Sequence, residues 1–168
     1  TAPCHPPRAP ASAPPLFALL MQACLGTLSA QTPAAAAAPN HQDRLVVCNK
    51  AAHSLSIFDP ITRKELAVVP TGQGPHEVAI APDGRTAVVS DYGAQQPGST
   101  LTVVDVLAAK VLRTIALQET VPAAQAGDEP KLRTYLRPHG SSFVDATHLV
   151  VTSEATRRLL LVDLAKDR

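Results

Sequence analysis

From residue 43 onward the apolar side chains come in short runs of four to seven residues, rich in Val, Leu, Ile and Thr and bounded by Pro, Gly, Asp or polar turns. Runs of this length and makeup predict β-strands. They place strands at Arg44–Asn49, Ser54–Asp59 and Lys64–Val69, then at Glu77–Ala81, Arg85–Asp91, Thr100–Asp105 and Lys110–Ala116. Three more follow Pro138, one in SSFVDAT and two within His148–Asp163. No stretch beyond residue 43 sustains apolar residues three and four apart, so helix is expected to be a minor component. Pro82-Asp83-Gly84 reads as a tight turn, with glycine available for positive φ.

Laid upon itself, the chain repeats. Arg44–Asp59 (RLVVCNKAAHSLSIFD), Arg85–Asp105 (RTAVVSDYGAQQPGSTLTVVD) and His148–Asp163 (HLVVTSEATRRLLLVD) each carry a Val-Val pair, a small polar residue or cysteine, a polar turn, and an apolar strand ending in aspartate. Val47 to Asp59 and Val151 to Asp163 are both 12 residues, whereas Val89 to Asp105 is 16, a four-residue insertion around Gln95–Gly98. A second shared element stands between these segments: Gly74-Pro75-His76-Glu77 before VAIAPDG, and Arg137-Pro138-His139-Gly140 before SSFVDAT. From Val46 to Val88 the period is 42 residues, matching propeller blades of about 40–45 residues. From Val88 to Val150 it is 62, because about 17 extra residues precede Pro138.

A propeller blade is a four-stranded antiparallel sheet, innermost strand first. The expected fold class is therefore all-β: β-propeller blades of four-stranded antiparallel sheets in an incomplete ring. Blade 1 (about 44–69) lacks an inner strand, blade 2 (about 77–116) is complete, and blade 3 (about 139–168) stops in the turn before its outer strand. Closed rings need about four to eight blades. The chain is accordingly expected to be an N-terminal fragment of a longer propeller whose C-terminus supplies the missing inner strand.

LVVCN, AVVSD and LVVTS, each followed by a strand ending in Asp59, Asp105 or Asp163, resemble the YVTN-type β-propeller repeat, a WD40-like blade. GPHEVAIAPDGRTAVVSD carries that repeat's Gly-Pro, apolar strand and Pro-Asp-Gly turn in order. The resemblance covers about Asp43–Arg168. It departs at Cys48 and Ser90, where the motif has threonine, and at the valines that stand for its tyrosine. It implies an exported, bacterial-type propeller. The family is functionally mixed: some relatives of this architecture bind a modified haem, and others act as lactone hydrolases.

Composition changes at about residue 42. Residues 1–42 hold half of the 16 prolines, an alanine run and one charged side chain, Arg8. Leu16–Leu25 is a ten-residue apolar run, too short for a bilayer that needs roughly 20 residues, but of signal-peptide length. Leu28-Ser29-Ala30 offers a cleavage site before Gln31. The expected organisation is a signal peptide-like leader over 1–30, a flexible Pro/Ala linker over 31–42 and a partial propeller over 43–168. The expected location is periplasmic or secreted, with no transmembrane segment after the leader. Acylation at Cys24 is the lesser reading, because Met21-Gln22-Ala23 is a poor approach to it. Cys48, alone beyond the leader, reads as a small apolar strand residue.

Beyond residue 42 there are 14 basic and 14 acidic residues. That balance excludes a strongly basic nucleic-acid-binding surface. Tryptophan is absent, and Phe58, Tyr92, Tyr135 and Phe143 are the aromatics beyond the leader, too few for a base-stacking platform.

No nucleophile elbow, phosphate loop or paired-histidine zinc motif occurs. Asp59, Asp105 and Asp163 recur at strand ends, where carboxylates bond nearby backbone N–H groups. His76 and His139 occupy equivalent repeat positions; imidazole there would ligate a metal, hold a cofactor axially, or simply cap the strand start. Glu77, Asp91 and Glu154 are the acidic candidates for a channel site. Lys131, Arg133 and Arg137 form a basic run in the long insertion, either a solvated loop or an anion-binding arm. His53 and His148 show no evident partner.

Strand direction chooses the functional face. Turns between strands one and two, and three and four, share one face and are short. The other face holds both insertions, Tyr92–Ser99 and Leu117–Arg137, and long loops on rigid scaffolds tend to carry function. The expected site is on this top face near the channel mouth, built around His76 and His139 and covered by Leu117–Arg137, unless that insertion is a disordered excursion. The primary reading is a non-catalytic exported binding or scaffold propeller, taking a protein, peptide or small molecule there. The alternative is a periplasmic enzyme or redox protein with a metal or haem-type cofactor near the central channel. The sequence does not identify a cofactor.

Overall fold

The computed structural model describes residues 42–125 and 127–168. The leader and nearly all of the linker lie outside them. The described residues contain twelve strands and no helix. β1 (Leu45–Asn49), β2 (Ser54–Phe58) and β3 (Glu65–Pro70) form one sheet in chain order. β4 (Pro75–Ile80), β5 (Thr86–Gly93), β6 (Pro97–Asp105) and β7 (Lys110–Ala116) form a four-stranded meander. β10 (Pro138–Phe143), β11 (His148–Ser153) and β12 (Arg158–Asp163) form a third sheet. All neighbouring pairs are antiparallel. These are the blades expected from the repeat, and they do not close into a ring.

The long insertion contains two strands. Gln118–Val121 (β8) and Lys131–Thr134 (β9) pair as a two-stranded antiparallel ribbon rather than a disordered excursion. QETV against KLRT is mostly polar and exposed, so the ribbon is held by its backbone ladder and cross-strand pairs rather than by a buried face.

The core explains the Val-Val pairs. Successive strand residues point to opposite faces, so the Val88-Val89 pair of the middle blade feeds two different interfaces. Ala87 and Val89 of β5 pack with Leu55, Ile57 and Val69 of blade 1, while Val88 packs with Leu149, Val151 and Val162 of blade 3. The middle blade is covered on both faces, which is why its two central strands are buried without a break over Ala87–Asp91 and Leu101–Asp105. On the flanking blades only one face is covered, and Leu45, Val47, Leu159 and Leu161 remain 41–69 % exposed.

The strand-end aspartates act as expected. Asp59 accepts hydrogen bonds from the backbone of Ile61 and Thr62, Asp105 from Leu107 and Ala108, and Asp163 from Ala165. Four residues beyond each, Arg63, Ala109 and Asp167 take left-handed backbone conformations, and the first two turn the chain into β3 and β7.

Candidate functional site

Both copies of the Pro-His element begin an inner strand, and both begin it irregularly. The residue before the proline is left-handed in each: Gly74 at φ +59° and Arg137 at φ +56°. Glycine takes that conformation freely, whereas Arg137 bears a cost of roughly 1–2 kcal/mol. The next step is a β-bulge. Pro75 lies opposite Asp91 and Glu77 opposite Ser90, which leaves His76 as the extra residue. Pro138 lies opposite Ser153 and Ser141 opposite Val151, so His139 and Gly140 together face Thr152. A bulge unpairs a residue and re-aims its side chain. With β10 packed beside β4 and β5, the two re-aimed rings meet, centroids 4.4 Å apart and tilted by 39°.

A second row crosses these rings. Lys50, Tyr92 and Glu154 each follow the strand-end polar residue of their blade (Asn49, Asp91, Ser153), so one repeat position supplies all three. The Tyr92 ring lies 5.1 Å from His76 and 5.6 Å from His139, edge-on to the latter. Its hydroxyl donates to Glu154 Oε2 at 2.7 Å. Lys50 Nζ stands 4.7 Å and the Arg137 guanidinium 4.8 Å from the ring centroid, contacts worth about 0.5–1 kcal/mol each at exposed sites. Glu77 Oε1 lies 3.2 Å from His139 Nδ1.

The electrostatics follow from this mixture. Burial, then the charge of Lys50 and then His139, lower the His76 pKa against the opposing pull of Glu77 and Glu154. The hydrogen bond to Glu154 raises that of Tyr92. Both carboxylates are engaged, whereas Lys50 and Arg137 have no ion-pair partner among the described residues.

Of the residues singled out from sequence, His76, His139, Glu77, Glu154 and Arg137 come together here. Asp91 does not: it is fully buried, and its Oδ2 accepts from Thr100 and Thr102 at 2.8 Å each. Burial raises its pKa despite those bonds. Arg133 does not either: it pairs with Glu119 within the ribbon, 3.0 Å away. Among the described residues of the insertion, Arg137, beyond the ribbon's last strand residue Thr134, is the one against the Tyr92 ring. Lys50 and Tyr92 escaped sequence reading, although the repeat alignment already set them beside Glu154. His53 and His148 do have partners: His53 Nδ1 accepts from Gly74 N at 2.9 Å, and His148 Nδ1 lies 2.8 Å from Asp145 Oδ2. Cys48 is half-buried, and desolvation first, then Asp91 and Glu77, push its thiol up to about 11, so a nucleophilic thiolate is suppressed.

Comparison with solved structures fixes the architecture. The chain is similar to the dihydro-heme d1 dehydrogenase NirN in complex with DHE, at 18 % identity and a TM-score of 0.54, over 76 % of this chain and 23 % of that one. It is also similar to U3-55K, at 15 % identity and a TM-score of 0.56, over 74 % of this chain and 34 % of that one. The fold is a β-propeller. The likeness carries the fold alone, and the chain spans a quarter to a third of the length of these propellers. No family model and no curated protein sequence matches the chain.

Within the propeller the site is at the turn side of the inner strands, where successive blades converge. Such a place gathers one residue per repeat and so builds a mixed site from a single alignment column.

Proposed function

We propose that the protein is an exported, non-catalytic β-propeller of YVTN type that binds a ligand on the face bearing His76, Tyr92 and His139. The ligand class is a small molecule or peptide carrying a carboxylate or phosphate. One observation carries this reading: three blades bring Lys50, Tyr92 and Glu154 together beside the two histidines, with Lys50 and Arg137 both against the Tyr92 ring and without an ion-pair partner among the described residues. Unpaired cations beside a half-buried aromatic suit an anion better than any other partner, since the carboxylates present are already taken.

The test is a thermal-shift panel of mono- and dicarboxylates, phosphate esters and free amino acids on the full chain. Some members are expected to raise the midpoint of the wild type and to lose that effect in Lys50→Ala, Arg137→Ala and Tyr92→Ala. A panel with no responder, or variants that respond like the wild type, overturns the reading.

The second reading, a redox or hydrolytic propeller with a cofactor near the channel, draws on the imidazole pair and on likeness to a propeller solved in complex with DHE. A macrocycle does not fit between rings whose centroids are 4.4–5.6 Å apart; it would have to lie above them. A haem band in the absorption spectrum of the purified protein would move the assignment to this second reading.

A further inference from the structure

We infer that His76, Glu77 and His139 form a site for a divalent transition-metal ion of the zinc class, lying beneath the anion-binding face. The inference rests on that reading of the face and adds what stands at its floor. Among the described residues, this is the one place where three such donors converge, with their ligating atoms all within 4.8 Å of one another. A tetrahedral ion with bonds of about 2.0–2.1 Å sets its donors roughly 3.3 Å apart. The 3.2 Å between Glu77 Oε1 and His139 Nδ1 already matches that edge. His76 closes the remainder by side-chain rotation, since it is exposed and makes ring contacts but no hydrogen bond among the described residues.

Three further features favour an ion here. Both imidazoles sit on β-bulges, so the backbone that aims them is held by the flanking ladder on each side. The repeat position of Glu77 is Gly140 in the next blade, and a Cβ on Gly140 would stand 3.7 Å from Glu77 Oε2. With glycine at that position, one carboxylate stands beside the two imidazoles. The positive charges of Lys50 and Arg137, which oppose a cation, are matched in number by Glu77 and Glu154.

Two imidazoles and one carboxylate select zinc, cobalt, nickel or copper over calcium and magnesium, which prefer all-oxygen shells. Three protein donors leave a coordination position open. That position would take the anionic group of the ligand or a water.

The experiment uses tag-free full chain, stripped with chelator and equilibrated with Zn²⁺ alone and, separately, Co²⁺ alone. One equivalent of metal per chain is expected, with the visible d–d absorption of a low-coordinate site for cobalt. His76→Ala, His139→Ala and Glu77→Gln are each expected to weaken affinity by about tenfold or more, and His148→Gln to leave it unchanged. Far-UV circular dichroism checks that each variant is folded, and Glu77→Gln preserves shape should an alanine variant fail. Absence of bound metal in the wild type, or undiminished binding when both histidines are replaced, overturns the site. If metal binding fails while carboxylates still act through Lys50 and Arg137, the metal site alone falls. If both fail, the face itself has been misassigned.

Discussion

Gly72 and Asp91 approach so closely that no side chain fits between them: a Cβ on Gly72 would stand 2.5 Å from both Cγ and Oδ2 of the Asp91 carboxylate. Gly72 N also donates to Thr102 Oγ1, at 3.1 Å, and that hydroxyl in turn donates to Asp91. The link between blades 1 and 2 is thereby pinned to the interior of blade 2. Gly72→Ala is expected to destabilise the protein by about 1–3 kcal/mol, the usual range for overpacking a filled interior. Denaturant unfolding measures it, and a loss under half a kilocalorie would show that the link is free to shift.

Asp91 itself is predicted to be replaceable. Its counterpart in blade 1 is Asn49, whose Nδ2 donates to Ser54 and Ser56 from the same geometry in which Asp91 accepts from Thr100 and Thr102. Burial raises the Asp91 pKa, and its Oδ1 has no hydrogen-bond partner among the described residues. An acid whose pKa is raised on folding costs stability above its unfolded pKa and regains it as pH falls. Asp91→Asn is therefore expected to be neutral or stabilising at pH 7, and to remove that acid-side gain. Asp91→Ala is expected to lose about 1–3 kcal/mol by orphaning buried hydroxyls. Equal losses in the two variants at pH 7 would contradict this.

Asp105 behaves in the opposite sense. The hydrogen bond from Arg85, followed by the backbone N–H of Ala108, holds its carboxyl down from 3.8 to about 2. A lowered pKa stabilises the fold above the unfolded value, and that contribution disappears as pH falls through the folded one. Stability of the wild type should fall between about pH 4 and pH 2 more steeply than that of Asp105→Asn. Parallel pH profiles of unfolding midpoints would refute the pairing as a source of acid sensitivity.

Export is tested separately, because residues 1–30 lie outside the described structure. Removing them, or placing charges within Leu16–Leu25, is expected to hold a reporter fusion in the cytoplasm, as disruption of a signal-peptide apolar run does. Unchanged export after deletion would reassign the leader.

How much of this was legible beforehand differs between fold and site. The repeat LVVCN, AVVSD and LVVTS located β1, β5 and β11, because a short β-branched apolar run bounded by polar turn residues leaves a local signature. The strand-end aspartates were equally legible, since each bonds N–H groups two or three residues ahead. His76 and His139 stood out because they recur, and Glu77, Glu154 and Arg137 stand beside them or in the same repeat frame. Asp91 and Arg133 looked equivalent to these on charge alone, yet one turns inward to two threonines and the other to its ribbon partner. Nothing local distinguishes a carboxylate at a strand end that faces solvent from one that faces the next strand.

By itself, then, the amino-acid sequence determined the strands of the three blades (though not the ribbon between the second and third), their order within each blade and the repeat column from which a site would be drawn. The tertiary structure alone decided which side chains meet. Lys50, Tyr92 and Glu154 are far apart in the chain, and their contact depends on how blades splay about a common axis. The bulges at His76 and His139 arise from the register between neighbouring strands, where one extra residue is absorbed. Register and blade angle are set by packing across whole interfaces, and such non-local sums leave no mark on any short stretch of sequence.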